Sequence, residues 1–242
     1  MIQQVGNFTP SELYVLAGAA GITYIFGLPE RESILMNNPN CVNNAISTLT
    51  TKGLLTKDVE LTKAAFQLIE LLKAFQGSKK YTRFNNLLIG FIPADEDRVI
   101  VLTELVENEV YEFECLSKRD VYLSLVKNIP FLLREPREKD KQFLSKQMTK
   151  EEQAVCEEID LFDKDVLAIE LLYRPDANRT HLGKRECHLY YMLEEDYVQI
   201  NVQNKMYEWV SLYALNKKIY DVLNMSYTKP KGLSNHSLGV IN

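Results

Sequence analysis

Two separated stretches of the chain have the same pattern of residues. Segment 101–126 reads VLTELVENEVYEFECLSKRDVYLSLV, and segment 188–213 reads HLYYMLEEDYVQINVQNKMYEWVSLY. A gapless alignment matches Leu102 with Leu189, Glu107 with Glu194, Lys118 with Lys205, Ser124 with Ser211 and Leu125 with Leu212. Each stretch has a short acidic turn, then alternating apolar and polar residues typical of a half-buried strand, and then a helical pattern.

The repeat predicts an α+β fold with two quasi-repeated antiparallel β-sheet-plus-helix units related by a pseudo-two-fold axis. The same identities are also compatible with two unrelated hairpins of similar chemistry. In the first unit we expect strands near 83–93, 98–105 and 109–116 and a helix at 118–127. In the second we expect a helix at 149–163, strands near 165–173, 184–193 and 196–203, and a helix at 205–224.

These patterns divide the chain into five parts. An N-terminal helical segment at 1–80 is expected to pack on the first unit, 81–130. A charged bridge at 131–148 leads to the second unit, 149–225, and 226–242 is expected to be a flexible tail because it has no periodicity.

Composition excludes several functional classes. Of 242 residues, 46% are hydrophobic and 25% charged, as in ordinary globular proteins. The net charge of −5 argues against general nucleic-acid binding, which needs clustered Lys and Arg. No apolar run approaches the length of a membrane span, and the opening residues lack the basic start of a signal peptide. We therefore expect a cytoplasmic protein without nucleic-acid or membrane partners.

The N-terminal segment offers one alternative function. Thr9-Pro10-Ser11-Glu12 forms a capping box at the start of the first helix. Two later helices flank a KGLL turn, an order also found at the start of many winged-helix DNA-binding domains. A basic recognition helix does not follow. A DNA-binding regulator is therefore the alternative rather than the preferred interpretation.

No spacing in the sequence predicts catalysis. Neither a phosphate-binding glycine loop nor a nucleophile elbow is present, and the few histidines form no metal-ligand pair. The cysteines are widely scattered, at Cys41, Cys115, Cys156 and Cys187. We expect no catalytic residue, cofactor or metal, and structural roles for Cys115, Cys156 and His188. An enzyme with an unrecognised site is the less favoured alternative.

Two features of the second unit favour protein binding. The loop 174–185 is longer than the turn 94–97 of the first unit, and a loop lengthened in one copy often carries function. The closing helix is rich in aromatics, which supply contact area at interfaces. An unselected insertion and a role in the core are the plainer explanations. The predicted partner-binding residues are Arg174, Asn178, Arg179, His181, Tyr213 and Tyr220.

The order of these elements resembles a known family. The start FTPSELYVLAGAAGI is followed by GLP, then by the helical pair around KGLL, and then by the two sheet-plus-helix halves. This resembles the EspG-like chaperones of type VII secretion and the small cytoplasmic proteins of Firmicute type VII secretion loci. The resemblance covers the chain to about residue 224 and rests on pattern, order and length.

The resemblance implies a cytoplasmic, non-enzymatic chaperone or adaptor. Such a protein holds the helical tip of a secretion substrate, here a small WXG100-like or LXG-type helical hairpin. The chain is shorter than many members of that family, and no contact residue carries over from it. The implied partner is therefore a small helical secreted protein.

Overall fold

A ten-stranded antiparallel sheet forms the centre of the protein. The computed structural model describes residues 6–93, 95–174 and 183–226. The strands are β1 (Asn7–Phe8), β2 (Lys80–Phe84), β3 (Leu87–Phe91), β4 (Arg98–Val106), β5 (Val110–Ser117), β6 (Ser145–Gln147), β7 (Leu167–Tyr173), β8 (Lys184–Leu193), β9 (Asp196–Asn201) and β10 (Met206–Val210). They lie side by side in the order β1-β5-β4-β3-β2-β7-β8-β9-β10-β6.

Helices cover both faces of this sheet. They are α1 (Pro10–Gly18), α2 (Arg31–Asn37), α3 (Cys41–Thr51), α4 (Lys63–Gln76), α5 (Lys118–Asn128), α6 (Lys150–Glu157) and α7 (Leu212–Val222). Successive strand residues point to opposite faces. Tyr190 therefore joins the core under α5 and α7, whereas Tyr191 joins the core under α6. Helices α1, α3 and α4 cover that second face in the first half of the sheet. An α+β fold with a large antiparallel sheet is thus confirmed.

The predicted capping box at α1 is confirmed. The Thr9 hydroxyl accepts from the Glu12 backbone N–H, and the Thr9 backbone N–H donates to Glu12 Oε2 at 2.7 Å. The buried Glu12 carboxylate also binds Lys52 Nζ at 2.7 Å, and Lys52 in turn donates to the Asn7 carbonyl at 2.6 Å. These bonds join the start of α1 to the end of α3 and to edge strand β1.

The single strand predicted at 83–93 is wrong, because the chain forms two strands there. A tight turn at Asn85 and Asn86 separates β2 from β3. Asn85 has a φ of 49°, in the left-handed region that asparagine tolerates. Its side chain accepts from the Ala168 backbone N–H at 2.7 Å and so holds the turn against β7.

The helix predicted at 205–224 is wrong in its first part. Residues Met206–Val210 form β10, which pairs with β9 and β6, and the helix begins only after Ser211. Alternating aromatic positions, Tyr207 and Trp209, fit a strand with one covered face better than a helix. The gapless alignment therefore places helical residues such as Tyr122 opposite strand residues such as Trp209, and that register is incorrect.

The charged bridge at 131–148 packs against the second half of the sheet. Phe131 is buried under α5 and α7. The buried Asp140 accepts from Arg134 at 2.8 Å and from Arg137 at 3.0 Å. Arg137 also donates to Asp196, the first residue of β9, at 2.6 Å. Ion pairs and a short edge strand thus hold this segment on the sheet.

Candidate functional site

The loop residues predicted to bind a partner are only partly described. Asn178, Arg179 and His181 lie outside the described residues. Arg174 precedes them and is 1% exposed. Its guanidinium lies 5.6 Å from the ring centroid of Tyr24, and its backbone N–H donates to the Lys79 carbonyl at 2.8 Å. Arg174 therefore anchors the start of the loop and is not a surface contact.

The predicted aromatics on α7 both contact other parts of the chain. The Tyr213 ring lies 5.9 Å from that of Phe143. The Tyr220 ring meets that of Tyr122 on α5 edge-on at 4.9 Å. Arg174 belongs to the face covered by α1, whereas α7 covers the other face, so the structure does not bring the described members of the predicted site together.

Reactive side chains in the described ranges do not converge. No group of three or more His, Cys, Asp or Glu residues that could hold a metal ion exists among those ranges. Cys115, Cys156 and His188 lie on β5, α6 and β8. Burial raises the pKa of the Cys115 thiol and lowers the pKa of the His188 imidazole. Burial therefore favours the neutral form of both groups.

An apolar groove lies between α1, α2 and α3, and we call it the helical groove. It has a volume of about 220 Å³. It continues into a more polar hollow of about 620 Å³ that shares Ser11, Ile34 and Cys41 with it. The apolar lining of the groove comprises Tyr14, Val15, Ile34, Leu35, Cys41 and Val42.

The groove is open because α2 packs on the core only partly. All seven residues of α2 are described and none is buried. Ile34 is half-buried and Met36 is 84% exposed. The Tyr14 hydroxyl donates to the Pro29 carbonyl at 3.0 Å and so fixes the chain just before α2. Burial raises the pKa of Tyr14 to about 12, so this phenol is a neutral donor at physiological pH.

The turn between β4 and β5 borders the hollow and extends the exposed apolar surface. Asn108 and Glu109 of this turn line the hollow. Leu105 and Val106, at the end of β4, are each about half exposed. The outer edge of the first half therefore presents apolar side chains on a helix and on a hairpin. The partner-binding residues predicted from the sequence all lie in the second half, so they do not include this edge.

One sequence signal points to the helical groove. The segment RESILMN lies between Pro29 and Pro39 and is too short to bury an apolar face of its own. Its apolar triplet ILM therefore stays near the surface. No helix in the described part of the chain is long and apolar enough to cross a membrane.

The fold and the grooves define an α+β protein with a ten-stranded sheet and open apolar surfaces at one edge. The chain belongs to the family described as Domain of unknown function (DUF5081), whose model matches residues 2–231. The search of curated proteins found no match to the sequence.

Proposed function

We propose that the protein is a cytoplasmic, non-enzymatic chaperone or adaptor that binds a helical segment of a type VII secretion substrate, WXG100-like or LXG-type. The observation that carries the proposal is the open helical groove, to which α2 contributes the half-buried Ile34 and Leu35. The resemblance of the element order to EspG-like chaperones supplies the substrate class.

The groove has the chemistry that a helical partner requires. An amphipathic helix binds by placing apolar side chains, three and four residues apart, into an apolar groove. Tyr14, Val15 and Val42 supply aromatic and aliphatic walls. Ile34 and Leu35 complete the apolar lining from α2. Asn37 and Asn44 line the adjoining hollow and supply polar groups at the rim.

We also infer that the two halves of the sheet are related by a pseudo-two-fold axis between β2 and β7. The strands run β2-β3-β4-β5 outward on one side and β7-β8-β9-β10 on the other. A helix with a serine N-cap, Ser117 or Ser211, follows each outer strand. This arrangement makes Glu114 the counterpart of Glu208, because each lies the same number of residues before its capping serine.

Co-expression tests the proposed function. The protein would be produced together with the WXG100-like and LXG-type proteins encoded beside it, and the products separated by size-exclusion chromatography. The proposal expects a stoichiometric complex with one of these helical proteins. If none of them co-elutes with the folded wild-type protein, the adaptor proposal fails.

A further inference from the structure

A second groove lies on the opposite face of the sheet, between α5 and strands β3, β4 and β5. We call it the acidic groove, and its volume of about 430 Å³ is within the range of ligand pockets. Its apolar lining includes Leu87, Val101, Leu105, Leu116 and Val121. Leu105 also belongs to the exposed hairpin end that borders the hollow beside the helical groove.

Two carboxylates line this groove, together with neutral polar side chains such as Thr103 and Ser124. Glu112 and Glu114 are two residues apart on β5 and therefore share one face. They lie opposite Thr103 and Val101 of β4. Burial raises the pKa of Glu114 to about 7, with a further contribution from its hydrogen bond with Glu112. The lining residues are all described, and the two glutamates are the only ionisable groups among them.

The second half of the sheet has a closed version of the same position. Glu208 on β10 lies opposite Gln199 of β9, as Glu114 lies opposite Val101. Gln199 Nε2 donates to Glu208 Oε2 at 2.6 Å, and the Tyr190 hydroxyl donates to Gln199 Oε1 at 2.7 Å. The Glu208 carboxylate therefore accepts a hydrogen bond from within the protein, at the end of a chain of hydrogen bonds that begins at the Tyr190 hydroxyl. In the first half the aliphatic Val101 takes the place of Gln199, and Glu114 lines the open acidic groove.

We propose that the acidic groove docks a lysine or arginine side chain carried by a bound protein segment. The aliphatic stem would lie along Leu105 and Leu116, and the cationic head would bind between the Glu112 and Glu114 carboxylates. Long cationic side chains bury their stems on apolar surface in this way, and a charge-assisted hydrogen bond to a carboxylate is among the strongest a partner can make.

A side chain fits this groove better than a metal ion. Calcium takes six to eight oxygen ligands, whereas the only charged ligands that line the groove are two carboxylates, and its other polar groups are neutral amides and hydroxyls. The apolar lining instead matches the methylene groups of lysine or arginine. This inference rests on the proposed function in one respect: the side chain that occupies the groove belongs to a bound protein.

Paired peptides test the proposal. One probe is a short amphipathic peptide of leucine, alanine and arginine, and the other has glutamine in place of each arginine. Isothermal titration calorimetry with the full chain should show the arginine peptide binding about tenfold more tightly or better. Glu114→Gln and Glu112→Gln should each remove most of this preference. Glu208→Gln is the matched control in the second half and should keep it.

Two results would overturn the proposal. One is equal binding of the two peptides by the wild-type protein, and the other is loss of the preference in Glu208→Gln to the same extent as in Glu114→Gln. Circular dichroism would establish that each variant is folded. The peptide experiment and the co-expression experiment can fail independently. The protein can prefer the arginine peptide even if no secretion substrate co-elutes with it. It can also lack that preference even if a substrate does co-elute.

Discussion

Glu12 and Lys52 form a partly buried ion pair that fixes α1 against α3. The carboxylate and the ammonium are 2.7 Å apart, and the Glu12 side chain is 2% exposed. The same carboxylate caps α1 through the Thr9 backbone N–H. Since the helical groove lies between α1, α2 and α3, this pair holds two of its walls at a fixed separation.

Removing Lys52 should therefore destabilise the fold. In Lys52→Ala the Glu12 carboxylate stays buried without its cation, and we expect the free energy of unfolding to fall by about 2 kcal/mol. Urea denaturation measures the change. Lys73→Ala is the control, because its partner Glu70 is exposed, and its effect should stay below about 0.5 kcal/mol. Equal losses in the two variants would show that the Glu12–Lys52 pair has no special role.

Gly90 should not tolerate a side chain. A Cβ at this position would lie 2.7 Å from Cδ2 of the buried Phe75, so in Gly90→Ala the Phe75 ring or the helix that carries it must shift. We expect a loss of about 1–3 kcal/mol in thermal or urea unfolding. Gly18→Ala is the matched control at the end of α1, where an added Cβ meets nothing within 4 Å. It should be neutral or stabilise by up to about 1 kcal/mol. A neutral Gly90→Ala would contradict the close approach of α4 to β3.

The acidic pair should make stability depend on pH. The pKa of Glu114 rises from 4.5 to about 7 on folding, so its protonated form favours the folded state. This contribution is present below about pH 4.5 and is lost as pH rises through 7. Glu114→Gln stays neutral, so its stability relative to wild type should rise between pH 5 and pH 8. Because solvent screens this half-buried side chain, we expect roughly 1 kcal/mol.

Denaturant unfolding at the two pH values measures this difference. Glu208→Gln is the matched control, since its carboxylate already has Gln199 as a partner within the chain. If the free energy of unfolding of Glu114→Gln differs from that of the wild type by the same amount at both pH values, the titration of Glu114 is not linked to stability.

Tyr122 should couple the closing helices of the two halves. Its hydroxyl donates to Asn216 Oδ1 at 2.9 Å, and its ring packs on that of Tyr220. Tyr122→Phe keeps the ring and should cost about 1 kcal/mol of unfolding free energy. A double-mutant cycle with Asn216→Ala should give a coupling energy of about 0.5 kcal/mol or more. Tyr213→Phe, on the same helix as Asn216, serves as the control. Additive effects of Tyr122→Phe and Asn216→Ala would contradict the contact.

The sequence predicted local structure well where one signal dominated. The capping box at Thr9 marked the start of α1, and the predicted strand 184–193 has the bounds of β8, Lys184–Leu193. Strands β4 and β5 were predicted to within one residue, because alternating residues flank an acidic turn. Local periodicity and turn chemistry suffice in such segments.

The remaining features depend on contacts between distant residues. Strand β10 has five residues and adjoins a helix, so its alternation was hidden in a helical pattern. The pairing of β2 with β7 joins the halves, and nothing local specifies it. The helical groove exists because α2 buries none of its residues. The acidic groove depends on the strand register that places Glu114 opposite Val101. Neither is visible before the strands are paired.

The affinity of a co-eluting helical secretion partner for Leu35→Asp tests the central claim most directly. Leu35 lines the helical groove and is half-buried, on a helix with no buried residue, so the variant should fold. A carboxylate in the lining of the helical groove should weaken binding in calorimetry by about tenfold or more, or about 1.4 kcal/mol. Phe66→Asp is the control, because Phe66 is exposed on α4 away from the groove, and it should bind like wild type. Unchanged affinity in Leu35→Asp would contradict binding at the helical groove.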